Sequence, residues 1–141
     1  MSVNSVAHLN FRGDARAALE LYQSVFDGDL RIVTYGDMGN VQDPAEADQV
    51  VWGQVTSESG VRVMAFDVPS RLSWSRGEHS FYMSLRGNDA DEISGYWEKL
   101  AVNAAIVQPL GPSPWAPLYG MLQDQFGITW VVDVASGDAA S

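Results

Sequence analysis

The 141-residue sequence contains no cysteine. Disulfides, thiolate metal ligands and cysteine nucleophiles are therefore excluded, and any catalysis must draw on carboxylates, hydroxyls, a bound metal or the two histidines, His8 and His79. Long apolar runs are missing too. No stretch approaches the roughly 18 to 20 residues of a membrane span, and the first residues, MSVNSVAHLNF, show neither a basic leader nor an apolar core. A cytoplasmic protein with no membrane partner is the expectation. Basic residues are scarce, 8 against 18 acidic ones, and the formal net charge is −10. Arg12, Arg16, Arg31, Arg62, Arg71, Arg76, Arg86 and Lys99 are scattered along the chain. Such a surface repels a phosphate backbone, so nucleic acid is not an expected partner, and the acidity reads as an aid to solubility. No glycine-rich loop closes a parallel strand in the way an adenosyl cofactor needs, and no cofactor is expected.

What the chain does have is 46% hydrophobic and 11% aromatic residues, enough for one well-packed domain. The segment from Asp14 to Asp27 places Ala18, Leu19, Leu21, Tyr22, Val25 and Phe26 at helical spacing, with Asp14 as N-cap and Gly28 past the end. A second helix runs from Asp89 to Ala101 with Ile93, Tyr96, Trp97 and Leu100 as its apolar stripe, and Asp89 with Glu92 resembles a capping box.

Each helix follows a short alternating run, Leu9 and Phe11 before Gly13, and Met83 and Leu85 before Gly87. Sliding the chain by 74 positions superposes these runs and carries Leu19 onto Ile93, Phe26 onto Leu100 and Ile32 onto Ile106. Farther on the offset falls to 67, pairing Gly53 with Gly120, Gly60 with Gly127 and Val63 with Trp130. The extra residues of the first half fall in DMGNVQDPAEADQ at 37–49, a long loop that is either a solvated excursion or a carrier of function.

Each half thus reads strand, helix and three strands: 5–12, 14–26, 30–36, 50–57 and 61–68, then 79–86, 89–101, 104–108, 117–123 and 127–134. The expected fold is a single α+β domain over residues 1–135, made of two βαβββ halves at 5–68 and 79–134 with a linker at 69–78. Helices are expected outside a curved mixed sheet and a central cleft, with a disordered tail at 136–141.

HLNFRGDARAALELYQSVFDGDL at 8–30, YGDM at 35–38 and GMLQDQFGITWVVD at 120–133 resemble the PhnB-like branch of the vicinal-oxygen-chelate superfamily. That superfamily contains glyoxalases, bleomycin-resistance proteins and ring-cleaving dioxygenases, and the branch is often labelled 3-demethylubiquinone methyltransferase-like. The resemblance spans roughly residues 5–135. It implies a divalent metal held by His and Glu on the first and last strands of each half. Carried over from the helix starts, those positions are Ala7, Met64, Phe81 and Val131, or Val6 and Ser80 on the first strands if the register shifts by one. None of them suits a metal. Relatives often show His-Ala-Glu-Leu where this chain has Trp52, Gly53, Gln54 and Val55.

In the preferred register Leu9, Phe11, Met83 and Leu85 pack under the helices, so that His8, Asn10, Tyr82 and Ser84 form a polar cleft floor. With Gln54, and with Trp52 and Trp115 as aromatic walls, they make up the expected ligand-binding set, Trp130 being the expected core tryptophan. His8 and His79 are candidate bases or ligands, or packing residues. Asp67, Asp124 and Asp133 invite a paired-carboxylate reading, although Asp124 in QDQFG reads as a solvated turn residue. GPSPWAP at 111–117 is a rigid connector, a lid or a dimer contact.

The first expectation is a metal-free family member that binds a small, partly aromatic or apolar molecule and assembles as a homodimer. The alternative is a divalent-metal-dependent lyase, isomerase or dioxygenase using His8, His79 and an aspartate.

Overall fold

The computed structural model describes residues 3–39, 41 and 43–135. The expected tail at 136–141 lies outside the described residues. The chain divides into two compact units, residues 1–76 and 77–141. Among the described residues no helix is long and apolar enough to cross a membrane.

The first unit contains β1 (Ala7–Phe11), α1 (Ala15–Phe26), β2 (Asp29–Thr34), a one-turn helix α2 (Tyr35–Met38), a 3-10 turn (Pro44–Glu46), β3 (Val50–Thr56) and β4 (Arg62–Asp67). Its sheet runs β1-β4-β3-β2, with β1 parallel to β4 and the remaining pairs antiparallel. The apolar positions of α1 recur every three or four residues, which gathers Ala15, Ala18, Leu19, Tyr22, Val25 and Phe26 on one buried face. Beneath it lie Leu9 and Phe11 of β1, each 1% exposed. In-register neighbours share a face, so Leu9, Ala65, Gly53 and Ile32 form one row beneath α1. The helix approaches so closely that a Cβ on Gly53 would stand 2.4 Å from Cδ1 of the fully buried Leu19.

The second unit contains β5 (Met83–Gly87), α3 (Ala90–Leu100), β6 (Ala105–Gly111), β7 (Leu118–Gln123) and β8 (Thr129–Val134), with sheet order β5-β8-β7-β6. Again the first and last strands are parallel and the other pairs antiparallel. Ile93 and Leu100 of α3 are buried, while Tyr96 and Trp97 are half-buried. Gly120 occupies the position of Gly53, and a Cβ there would lie 2.9 Å from the Trp97 ring and from the Leu110 backbone. Trp130 is 1% exposed and anchors this core, as expected.

The chain forms an α+β fold of two four-stranded mixed sheets, with both helices and most strands within two residues of the expected bounds. Three differences carry physical reasons. The strand expected from residue 79 begins only at Met83, because Gly77 and His79 both adopt left-handed backbone, with φ of 73° and 54°. The end of the 30–36 strand folds into α2, because Thr34 and Asp37 cap it reciprocally: Asp37 N–H donates to Thr34 Oγ1 and Thr34 N–H to Asp37 Oδ2. The single offset of 74 holds for the helices and not for the strands before them. Leu9 pairs with Ala65 and Leu85 with Val132, so the parallel register equates Phe11, and not Gly13, with Gly87.

The helix starts also differ from the simple N-cap expectation. Asp14 sits at the N-cap of α1 without a side-chain bond. The bond comes instead from Asp67 at the end of β4, whose Oδ1 accepts from Gly13 N–H at 2.7 Å and Ala15 N–H at 3.1 Å. Its Oδ2 accepts from Val50 N–H at 2.9 Å. In α3 the cap is local: Asp89 accepts from the N–H groups of Asp91 and Glu92, and the Glu92 carboxylate takes the Tyr96 hydroxyl in place of a reciprocal box.

Candidate functional site

A pocket of about 520 Å3 opens in the first unit. Its floor is Val51 and Phe66. A bulge between Val33 and Thr34 explains the former: it lets Val50 turn beneath α1 next to Gly53 and leaves Val51 for the pocket. Phe66 lies on the sheet face away from α1, in the row it shares with Asn10.

Three short segments of the long loop and the linker build the walls. The first is α2, which brings Tyr35 and Met38. The second is the stretch containing Val41, Asp43 and Glu46; there Asp43 accepts from Ala45 N–H and starts the 3-10 turn. The third is Pro69–Leu72, pinned from two sides. The Arg12 guanidinium donates to the carbonyls of Pro69 and Leu72, and Ser70 N–H donates to Glu46 at 3.1 and 3.4 Å. Loop and strand are tied together by Tyr35 N–H to Gln49 carbonyl at 3.0 Å and Gly36 N–H to Ala47 carbonyl at 2.8 Å. From the loop at 37–49, Met38, Val41, Asp43 and Glu46 line the pocket, while most of its described residues are exposed to solvent.

The Tyr35 hydroxyl donates to the Asp67 carbonyl at 2.6 Å. Burial holds the phenol above its usual ionisation range, and the negative fields of Asp67 and Glu46 reinforce this while Arg71 opposes it. The phenol is neutral at physiological pH. Asp37 is pushed the other way, its carboxylate stabilised first by the Thr34 backbone N–H and then by the Thr34 side chain. The site thus combines apolar side chains with two carboxylates, Asp43 and Glu46, one guanidinium, Arg71, and a neutral phenol.

The sequence-predicted residues of the first unit come together on one surface, outside this pocket. His8, Asn10, Trp52 and Gln54 all lie on the sheet face away from α1, where His8 pairs with Met64, and Met64 with Gln54. His8 Nδ1 bonds Asn10 Oδ1 at 2.9 Å, and its ring meets Phe66 edge-on with centroids 5.2 Å apart. Gln54 donates to Thr56. Phe66 is where this face meets the pocket.

In the second unit Ser84 pairs with Val131 on the face away from α3, Tyr82 precedes β5 with its hydroxyl 2.9 Å from His79 Nδ1, and Trp115 is 62% exposed, edge-on to Tyr119. The connector around Trp115 is a closed turn in which Ser113 and Ala116 bond each other three times.

The carried-over metal positions need correction. Ala7 faces α1, while Met64 faces the other way, so the β1 neighbour of Met64 is His8 and not Ala7 or Val6. In the second unit the neighbour of Val131 is Ser84, and both Phe81 and Ser80 precede the strand. Among the described residues no three His, Asp or Glu side chains gather as a metal site. A His–Met pair and a Ser–Val pair do not fit a divalent cation.

The aspartates are also accounted for. Asp67 holds α1; Asp133 takes a two-pronged ion pair from Arg86 at 3.1 and 3.0 Å; Asp124 accepts from Phe126 N–H, Ile128 N–H and the Trp130 indole. Asp124 is in the expected turn but is 4% exposed rather than solvated, because three donors replace its water.

The family model described as 3-demethylubiquinone-9 3-methyltransferase matches residues 4–133. The chain belongs to that PhnB-like family. A solved structure of PA1353 from Pseudomonas aeruginosa is 27% identical, with a TM-score of 0.81 over 95% of this chain and 98% of that one. A PhnB protein from Bacillus cereus is 25% identical, with a TM-score of 0.73 over 94% of this chain and 100% of that one. A glyoxylase/bleomycin resistance protein/dioxygenase domain from Frankia sp. EAN1pec shares 14% identity at a TM-score of 0.66, covering 97% of this chain and 94% of that one, and shows the fold alone. In this PhnB-like protein the YGDM segment that carried part of the resemblance is α2, the pocket wall. Tyr35, Glu46, Phe66 and Arg71 were missed as site residues. The available signal was the excess length at 37–49 together with that motif.

Proposed function

We propose that this PhnB-like protein binds a small molecule with an apolar or aromatic body, without a His- and Glu-held metal. The pocket of the first unit carries the reading: about 520 Å3 falls within the roughly 300–1,000 Å3 of small-ligand sites, and Met38, Val41, Val51, Phe66 and Leu72 give it an apolar lining beside the polar Tyr35, Asp43, Glu46 and Arg71. The adjoining face of His8, Asn10, Trp52 and Gln54 extends that surface, joined to the pocket through Phe66. Tyr82, Ser84 and Trp115 are the candidate ligand contacts of the second unit. The side chains at Met64 and Val131 support the metal-free part.

Amide NMR with neutral aromatic fragments such as indole and benzyl alcohol tests the pocket. Shifts clustered on Tyr35, Met38, Val51, Phe66 and Leu72 are expected; silence at millimolar fragment, or shifts confined to other surfaces, would refute it. Calorimetry on chelator-stripped protein tests the metal-free part, which micromolar or tighter binding of Zn, Ni, Mn or Fe would overturn.

A homodimer is part of the same proposal, supported by exposed Phe81, Val107 and Trp115, at 54%, 61% and 62%. A sedimentation mass near the 15.4 kDa of one chain would contradict it.

A further inference from the structure

Glu46 and Arg71 line the same pocket, yet neither joins an ion pair among the described residues. Glu46 is half-buried, and among the described residues the one donor on its carboxylate is the neutral Ser70 backbone N–H. Arg71 is exposed at the pocket's rim, and its guanidinium makes no hydrogen bond among the described residues. Asp43, the other charge on the pocket, is exposed at its rim and occupied in part by Ala45 N–H. Both Glu46 and Arg71 act on the phenol of Tyr35 that lies between α2 and β4, with opposite signs, so both fields reach the chamber.

A ligand that fills the chamber strips water from the half-buried Glu46, while its outer end meets the exposed Arg71. Desolvating a charge without replacing its partner is costly, so a purely anionic occupant leaves Glu46 uncompensated, while a purely cationic one forgoes the contact that Arg71 offers. A neutral apolar occupant compensates neither.

We infer that the pocket takes a zwitterion with an apolar or aromatic body, of the hydrophobic α-amino acid class. Its ammonium meets Glu46, its carboxylate meets Arg71, and its side chain lies over Val51 and Phe66 between Met38 and Leu72. The inference rests on reading this pocket as a small-molecule site.

The test is calorimetric and NMR titration of the full chain with L-phenylalanine, phenethylamine, hydrocinnamate and benzyl alcohol, which present both charges, one of each, and none. Phenylalanine is expected to bind about tenfold or more tighter than each of the others, the scale of one added charge-assisted contact. Glu46→Gln keeps an acceptor for Ser70 N–H and is expected to weaken phenylalanine and phenethylamine about tenfold while sparing hydrocinnamate; Arg71→Gln should do the reverse. Equal binding of phenylalanine and either singly charged compound overturns the inference, as does insensitivity to both substitutions. If the neutral alcohol alone shifts Phe66 and Leu72, the inference fails while the small-molecule site stands. If none of the four compounds shifts those residues, both fail.

Discussion

The two units use the same strand order and the same close-approach glycines, yet they secure their helices and turns with different chemistry. In the first unit a strand residue, Asp67, reaches across to cap α1 and also holds Val50 N–H, so one buried carboxylate ties together β4, the β1–α1 turn and the start of β3. In the second unit Asp89 caps its own helix from an exposed position. The turns before the last strands show the reverse emphasis. Ser57 and Val61 bond through backbone and Ser57 Oγ, as Asp124 and Ile128 do through backbone and Asp124 Oδ1. Where Val63 needs no polar partner, its counterpart Trp130 brings a buried indole N–H, and the carboxylate in place of the serine supplies a second acceptor for it. The two halves share the geometry of contact, while Asp67 in one and Asp124 in the other sit where buried donors would otherwise go unmet.

The sharpest way to break this comparison is to remove both caps. Asp67→Ala is expected to cost about 3–5 kcal/mol, since it orphans the Gly13, Ala15 and Val50 N–H groups in a buried setting, whereas Asp89→Ala should cost about 1 kcal/mol. Urea unfolding monitored by tryptophan fluorescence reads both, and equal costs would dissolve the distinction. Next in size, Gly53→Ala should destabilise by about 1–3 kcal/mol through its clash with Leu19, and Gly120→Ala by a similar amount against Trp97 and the Leu110 backbone. A neutral result at either glycine would show that its helix can retreat. Trp130→Phe removes the indole bond to Asp124, an expected loss of about 1–2 kcal/mol in the same assay.

The smallest expected effect concerns pH. The Tyr35 phenol is raised above its ordinary value of 10.0, so the folded state favours its neutral form. The stability this contributes is complete below pH 10 and disappears as pH rises through the folded value. Ultraviolet titration should lose a late-ionising component on Tyr35→Phe; an unchanged late region would contradict the burial and carboxylate fields assigned to it.

The fold was legible because both helices expose their periodicity and because paired glycines and apolar positions survive a slide of the chain. Gly53 and Gly120, matched as letters, prove to be matched as contacts beneath the two helices. The strand register was not legible from the same slide, since Phe11 reaches Asp14 in one more step than Gly87 needs to reach Asp89, a difference that residue types do not reveal. Alternation correctly set His8 and Asn10 on the face opposite Leu9 and Phe11. The pocket was hidden for a different reason. It is made by a capping box at Thr34 and Asp37, a 3-10 turn and a pinned linker, and each of these bends irregular chain back onto a strand end. Hydrophobic patterning reports regular elements and says little about where loops close. The excess loop length marked the place without naming Tyr35, Glu46 or Arg71.

Ligand recognition is proposed to reside in the first unit, between Glu46 and Arg71. A crystal structure of the protein grown with millimolar L-phenylalanine tests it most directly. The prediction is density for the amino acid above Phe66, with its ammonium at hydrogen-bond distance from Glu46 and its carboxylate from Arg71. A clear pocket in that crystal, or a divalent ion clasped beside His8 and Met64, would contradict it.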